Sequence, residues 1–175
     1  MGSKEQGAHD TKGRWLVIPR TLCFVFNGDD VLLMKRGAHK RIFPNQYNGL
    51  GGHIERFEDP LAGAIREIKE ESGLDVTDIH LSGIHSIDSG DTHGIVLFVF
   101  KAQTDDRNIL PEGEEGTLHW VNIHEIDQLD VVEDLPSILN RLMTGTSSEP
   151  YFLHISYNAQ DQIQMRETQV NNADG

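Results

Sequence analysis

The stretch that most restricts the fold is GGHIERFEDPLAGAIREIKEESGL, residues 51–74. Asp59-Pro60 marks a helix start. An aspartate can cap the first free N–H groups, and proline suits the first helical position, where no N–H is needed. Gly73 marks the stop, because glycine accepts the left-handed conformation that closes helices. Between them Leu61, Ala64, Ile65 and Ile68 recur at helical spacing and predict a buried stripe. Glu67, Glu70 and Glu71 stand at i, i+3 and i+4 and share one face. Like charges so placed destabilise a bare helix by roughly a few tenths of a kcal/mol per pair. Two readings follow: the face is solvated and softened by Arg66 and Lys69, or its acids hold cations.

Strand signals surround this helix. TLCFVF and VLLMKRG flank Asn27-Gly28-Asp29-Asp30, a hairpin pattern in which Asn and Gly tolerate positive φ. Residues 38–52 are rich in Gly, Asn and Pro and read as a loop. IHLSGIHSI, GIVLFVFKA and LHWVNI read as strands after the helix. VVEDLPSILNRLM reads as a second helix with Asp134 as N-cap, and YFLHISY and QIQMRE as a closing hairpin. Strands, helix, strands, helix, hairpin predict one mixed-sheet α/β domain over residues 14–168. Residues 1–13 read as a flexible arm and residues 169–175 as a loose tail.

The net charge of −13 opposes any surface that tracks long nucleic acid. A small phosphorylated ligand stays open, because metal ions can supply positive charge. The single cysteine, Cys23, excludes a disulfide framework and a cysteine-built zinc site. No run reaches the apolar length of a membrane span, and no signal-peptide pattern opens the chain. These features predict a cytoplasmic protein, monomer or homodimer, that binds no membrane. The nine histidines lack the spacing of a zinc helix.

The flanks of the acidic helix favour cations. Gly51-Gly52 lets the backbone approach a ligand and offer a carbonyl oxygen, and Glu58 falls just before the helix. Hard cations take a few carboxylates plus water and substrate phosphate. Gly52, Glu58, Arg66, Glu67, Ile68, Glu70, Glu71, Gly73 and Leu74 match, without departure, the signature of the Nudix hydrolases. VLLMKRG, EEGTLHWV and the DLP…YFLHISYN segment are similar to the MutT-like branch, which hydrolyses nucleoside triphosphates including 8-oxo-dGTP.

The resemblance implies an α/β/α sandwich with the box as loop–helix–loop. It implies Mg²⁺ or Mn²⁺ held by Glu67, Glu70, Glu71 and the Gly51 carbonyl, with Glu58 as a further contributor and Arg66 orienting the glutamates. A carboxylate must take the proton of the attacking water. Glu67, Glu70 or Glu115 fits, and Glu115 also reads as part of a solvated acidic loop. Arg36 suits phosphate better than Lys35, because of its bidentate fork. Gly52 borders the phosphate side, and His53 beside it could touch phosphate. Tyr47 could stack on a base and Asn48 hydrogen-bond it, or Tyr47 could simply pack. Glu133 and Asp134 align loosely with acids that read the base in some relatives. The implied substrate is a purine nucleoside triphosphate, oxidised or not, cleaved to monophosphate and pyrophosphate. The alternatives are ADP-ribose, a dinucleoside polyphosphate or a nucleotide sugar, or a ligand sensor without turnover.

Overall fold

The computed structural model describes residues 7–8, 11–110, 112–145 and 149–168. The tail expected over 169–175 and most of the arm expected over 1–13 lie outside the described residues. In chain order the elements are β1 (Leu16–Asn27), β2 (Asp30–Arg36), β3 (Tyr47–Asn48), α1 (Pro60–Ser72), β4 (Thr77–Ile87), β5 (His93–Gln103) and β6 (Gly116–Asn122). A 3-10 turn (Ile123–Gln128), α2 (Leu135–Thr144), β7 (Tyr151–Tyr157) and β8 (Ile163–Glu167) follow.

The eight strands form one mixed sheet in the order β3-β2-β1-β5-β4-β7-β8, with β6 on the other edge of β2. β1 lies parallel to β5 and β4 parallel to β7, and the other pairs are antiparallel. The unbroken apolar run in β1 is the pattern of a strand covered on both faces. Leu22, Phe24 and Phe26 pack with Leu135, Ile138, Leu139 and Leu142 of α2. Cys23 and Val25 pack with Ala64 and Ile68 of α1 on the opposite face. The sheet is therefore sandwiched between the two helices, as the resemblance implies. The β1–β2 hairpin closes at Asn27↔Asp30, and Gly28 alone takes positive φ, 61°. Asn27 instead donates its side-chain amide to the Thr104 carbonyl.

Two sequence expectations need correction. The buried side of α1 consists of Gly63, Ala64, Ile68 and Ser72, whereas Leu61 and Ile65 are 42% and 45% exposed. At 100° per residue, Glu71 lies one heptad beyond Ala64 and so close to its direction. Leu61 lies one heptad before the buried Ile68, so its exposure comes from its place in the first turn rather than from its direction, while Ile65 stands at the margin of the stripe. Asp134 stands at the N-cap position of α2, but its backbone is right-handed helical and its side chain makes no capping bond. A helical φ/ψ points the carboxylate away from the first-turn N–H groups that an extended N-cap residue would reach.

Candidate active site

Three segments build the site: the loop before α1, α1 itself and the loop before β6. The pre-helix loop runs along β1, where Cys23 N–H donates to the Leu50 carbonyl and Thr21 N–H to the Gly52 carbonyl. Those two bonds leave the Gly51 carbonyl between them, outside the ladder. Gly51 has φ 132°, and any Cβ there would collide with the Thr21 carbonyl, so only glycine fits. A Cβ on Gly52 would sit 2.5 Å from the Glu67 carboxylate. Both glycines thus bring the loop against the acids of α1.

α1 starts where the sequence places it. The Asp59 carboxylate accepts from Leu61 N–H at 2.9 Å and Ala62 N–H at 3.0 Å, and Gly73 closes the helix at φ 78°. Arg66 then ties the acids together. Its guanidinium donates to both oxygens of Glu58 (3.0 and 2.6 Å), to Glu67 (3.0 Å), to Glu70 (2.9 Å) and to the His53 carbonyl (3.1 Å). That fork, with the Glu55 N–H, holds the Glu58 carboxyl down at about 2. Glu71 goes the other way. Burial, with Glu67 and Glu115 nearby, pushes it up to about 7 against the opposing Gly51 N–H bond of 2.9 Å.

Glu67, Glu70, Glu71, Glu112, Glu114 and Glu115 line one cavity of about 250 Å³, with Met34, Leu110 and Leu118 among its apolar lining. The structure therefore brings the box acids and the Glu115 loop together, while Glu58 is clamped to Arg66 outside this lining. Arg36 shares the Met34 face of β2 by strand alternation, and its guanidinium lies 3.6 Å from Glu115. Lys35 and Tyr47 fall on the opposite face, Lys35 5.6 Å above the Tyr47 ring and Tyr47 edge-on to His119. Asn48 follows Tyr47 in the strand, so the two side chains leave opposite faces of the sheet. The Asn48 side-chain oxygen accepts from Gly49 N–H at 2.8 Å. Glu133 is exposed and Asp134 half-buried, its carboxyl raised by burial. Both follow directly on the 130–132 segment that hydrogen-bonds the Tyr47 backbone.

The donor set fits a hard divalent ion: carboxylates, a glycine carbonyl outside the ladder, and the partly buried Glu71, whose carboxyl burial raises. Among the described residues no three side chains already form a closed metal cage. Arg66 occupies one oxygen each of Glu67 and Glu70 and leaves their other oxygens free of it. Sequence reasoning gives Lys40 no definite role, as a loop charge that could help at the phosphate side, and its Nζ lies 2.6 Å from Glu115. No local pattern announces a pair separated by 75 residues.

Residues 17–142 match the NUDIX domain family. The chain is 28% identical over 129 residues to an uncharacterized Nudix hydrolase, YvcI, of Bacillus subtilis, spanning 71% of this chain and 78% of that protein. It is 34% identical over 117 residues to the oxidized purine nucleoside triphosphate hydrolase of Mus musculus, spanning 65% and 72%. The crystal structure of a mutator MutT protein from Bacillus halodurans superposes with a TM-score of 0.72 at 26% identity, covering 86% of this chain and 97% of that one.

Proposed function

Because this chain belongs to the Nudix hydrolase family, we propose that it is a Mg²⁺- or Mn²⁺-dependent pyrophosphohydrolase cleaving a purine nucleoside triphosphate, including oxidised forms such as 8-oxo-dGTP, to monophosphate and pyrophosphate. Nudix hydrolases act on small nucleotides and generally use divalent cations. The observation that carries the reading is the cavity where Glu67, Glu70 and Glu71 meet the Glu115 loop. When bound, a divalent cation would neutralise diphosphate oxygens and lower the pKa of an attacking water.

The chain's own residues do the rest. Glu67, Glu70 and Glu71 would hold the ion with the Gly51 carbonyl, and Arg66 orients Glu67 and Glu70. Glu58 serves by fixing Arg66. Glu115, on the facing loop, takes the water proton as the bond to the leaving pyrophosphate breaks. Arg36 stands where it can meet a phosphate. The purine preference draws support from the hydrolase of Mus musculus and from the 130–132 segment, which hydrogen-bonds Tyr47 of β3 and runs on into Glu133 and Asp134. Burial raises the Asp134 carboxyl, in the direction of the protonated form that could donate to a purine carbonyl.

The test is a panel of nucleoside triphosphates, oxidised purine triphosphates, ADP-ribose and dinucleoside polyphosphates, scored for pyrophosphate against phosphate in Mg²⁺. Pyrophosphate from purine triphosphates, abolished by a chelator, is expected. Equal kcat/KM on ADP-ribose and every triphosphate would refute the purine reading, and binding without turnover would make the protein a sensor.

A further inference from the structure

Beside the acidic cavity, on the side of the Glu115 loop, stands a cationic pair: Arg36, placed above where it can meet a phosphate, and Lys40, which takes no part in the reaction described above. Lys40 Nζ lies 2.6 Å from one oxygen of Glu115, and the Arg36 guanidinium lies 3.6 Å from the other. The backbone around this pair is fixed. Gly37 N–H donates to the Glu115 carbonyl at 2.9 Å, and Gly116 pairs with Arg36, where a Cβ would collide with the Lys35 carbonyl. Arg36 Nε is itself held on the Ile42 carbonyl at 2.9 Å. With the main chain pinned, the freedom left to Glu115 is its side chain, and the groups holding that side chain are Lys40 and Arg36.

We propose that Lys40, backed by Arg36, is a positioning residue: it latches the Glu115 carboxylate in the empty cavity and hands it over when a polyphosphate draws the two cations away. This rests on the reading of the cavity as a site for metal and diphosphate. Three arguments support it. Both groups reach solvent, Glu115 at 44% and Lys40 at 21% exposed, and ion pairs that water can reach are weak enough to exchange partners. A polyphosphate offers several anionic oxygens to both cations at once, where Glu115 offers two. The latch also covers an anion, since Glu115 lines the same cavity as Glu67, Glu70 and Glu71. An unlatched Glu115 would add a bare anion to a cavity without substrate, and polyphosphate entry would work against it. A latched one reaches the reaction only when phosphate is in place.

The experiment uses Mn²⁺ alone as probe, with the full chain and no nucleotide, and reads its dissociation constant by electron paramagnetic resonance. Lys40→Met should bind Mn²⁺ about fivefold tighter than wild type, because the freed Glu115 charge then acts on the ion. Lys40→Arg should restore the wild-type constant. In a Glu115→Gln background the Lys40→Met change should have no effect. In turnover, Lys40→Met should raise KM for the triphosphate more than it lowers kcat. An unchanged Mn²⁺ constant in Lys40→Met would overturn the latch. So would a gain of the same size in the Glu115→Gln background, which would mean a general loss of positive charge. Wild-type protein that binds no Mn²⁺ would instead overturn the metal reading on which the latch rests.

Discussion

Arg66 makes five hydrogen bonds, four to carboxylate oxygens and one to the His53 carbonyl. Only a planar fork with donors on three nitrogens can do this, so Arg66→Lys should lower activity about 10–100-fold with the fold intact, as measured by kcat and circular dichroism. Glu70→Gln should lose several orders of magnitude in kcat. Its stability should move by no more than about 1 kcal/mol, because Glu70 is 59% exposed where it meets Arg66. Glu71 has a pH signature of its own. Its carboxyl titrates near 4.5 unfolded and about 7 folded, so between those values the folded chain holds the extra proton. Stability from this group is therefore present at low pH and falls as pH rises from 4.5 to 7. In metal-free protein Glu71→Gln should gain up to about 3 kcal/mol over wild type at pH 8 and little at pH 4.5, read from denaturant midpoints. Glu58 has the opposite sign: its contribution is full above 4.5 and lost as pH falls toward 2.

At the scale of elements, the two helix starts look alike in sequence, Asp59-Pro60 and Asp134-Leu135-Pro136, and differ in structure. Asp59→Ala should cost about 1 kcal/mol by removing two capping bonds, seen as a lower melting temperature. Asp134→Asn should cost no capping energy, since no cap bond exists, while raising KM for purine substrates if the buried carboxyl reads the base. Asn48→Ala should raise KM for one base selectively; an equal loss on all nucleotides would mean that its bond to Gly49 shapes the loop and reads nothing. The α1 boundaries were legible because capping is local chemistry, carried by Asp59, Pro60 and Gly73. The buried face was only half legible. Periodicity names a stripe, but not how far along the helix the sheet covers it: Leu61 shares the direction of the buried Ile68 and is exposed in the first turn. The Nudix box carried its own spacing, whereas the Lys40–Glu115 pair joins two loops that meet only because β2 and β6 are neighbours.

At the scale of the whole molecule, a chain of net charge −13 gathers six of its acids at one cavity. Mg²⁺ or Mn²⁺ should therefore raise the melting temperature in a concentration-dependent way, and monovalent salt of equal ionic strength should raise it less. Ca²⁺ should stabilise similarly without comparable turnover. The long parallel seam has a different consequence, one of time. β1 meets β5 at eleven positions, from Leu16↔His93 to Phe26↔Gln103, each pair 77 residues apart. On a ribosome adding about 5–20 residues per second, β1 waits about 4–15 s for its partner. Its hairpin with β2 can close within that interval, but its β5 edge stays unpaired while apolar residues such as Phe24 lack their cover. The nascent protein thus passes through a window in which its central strand is a free edge, and slowing synthesis between residues 27 and 103 should lengthen that window and increase aggregation of the unfinished chain.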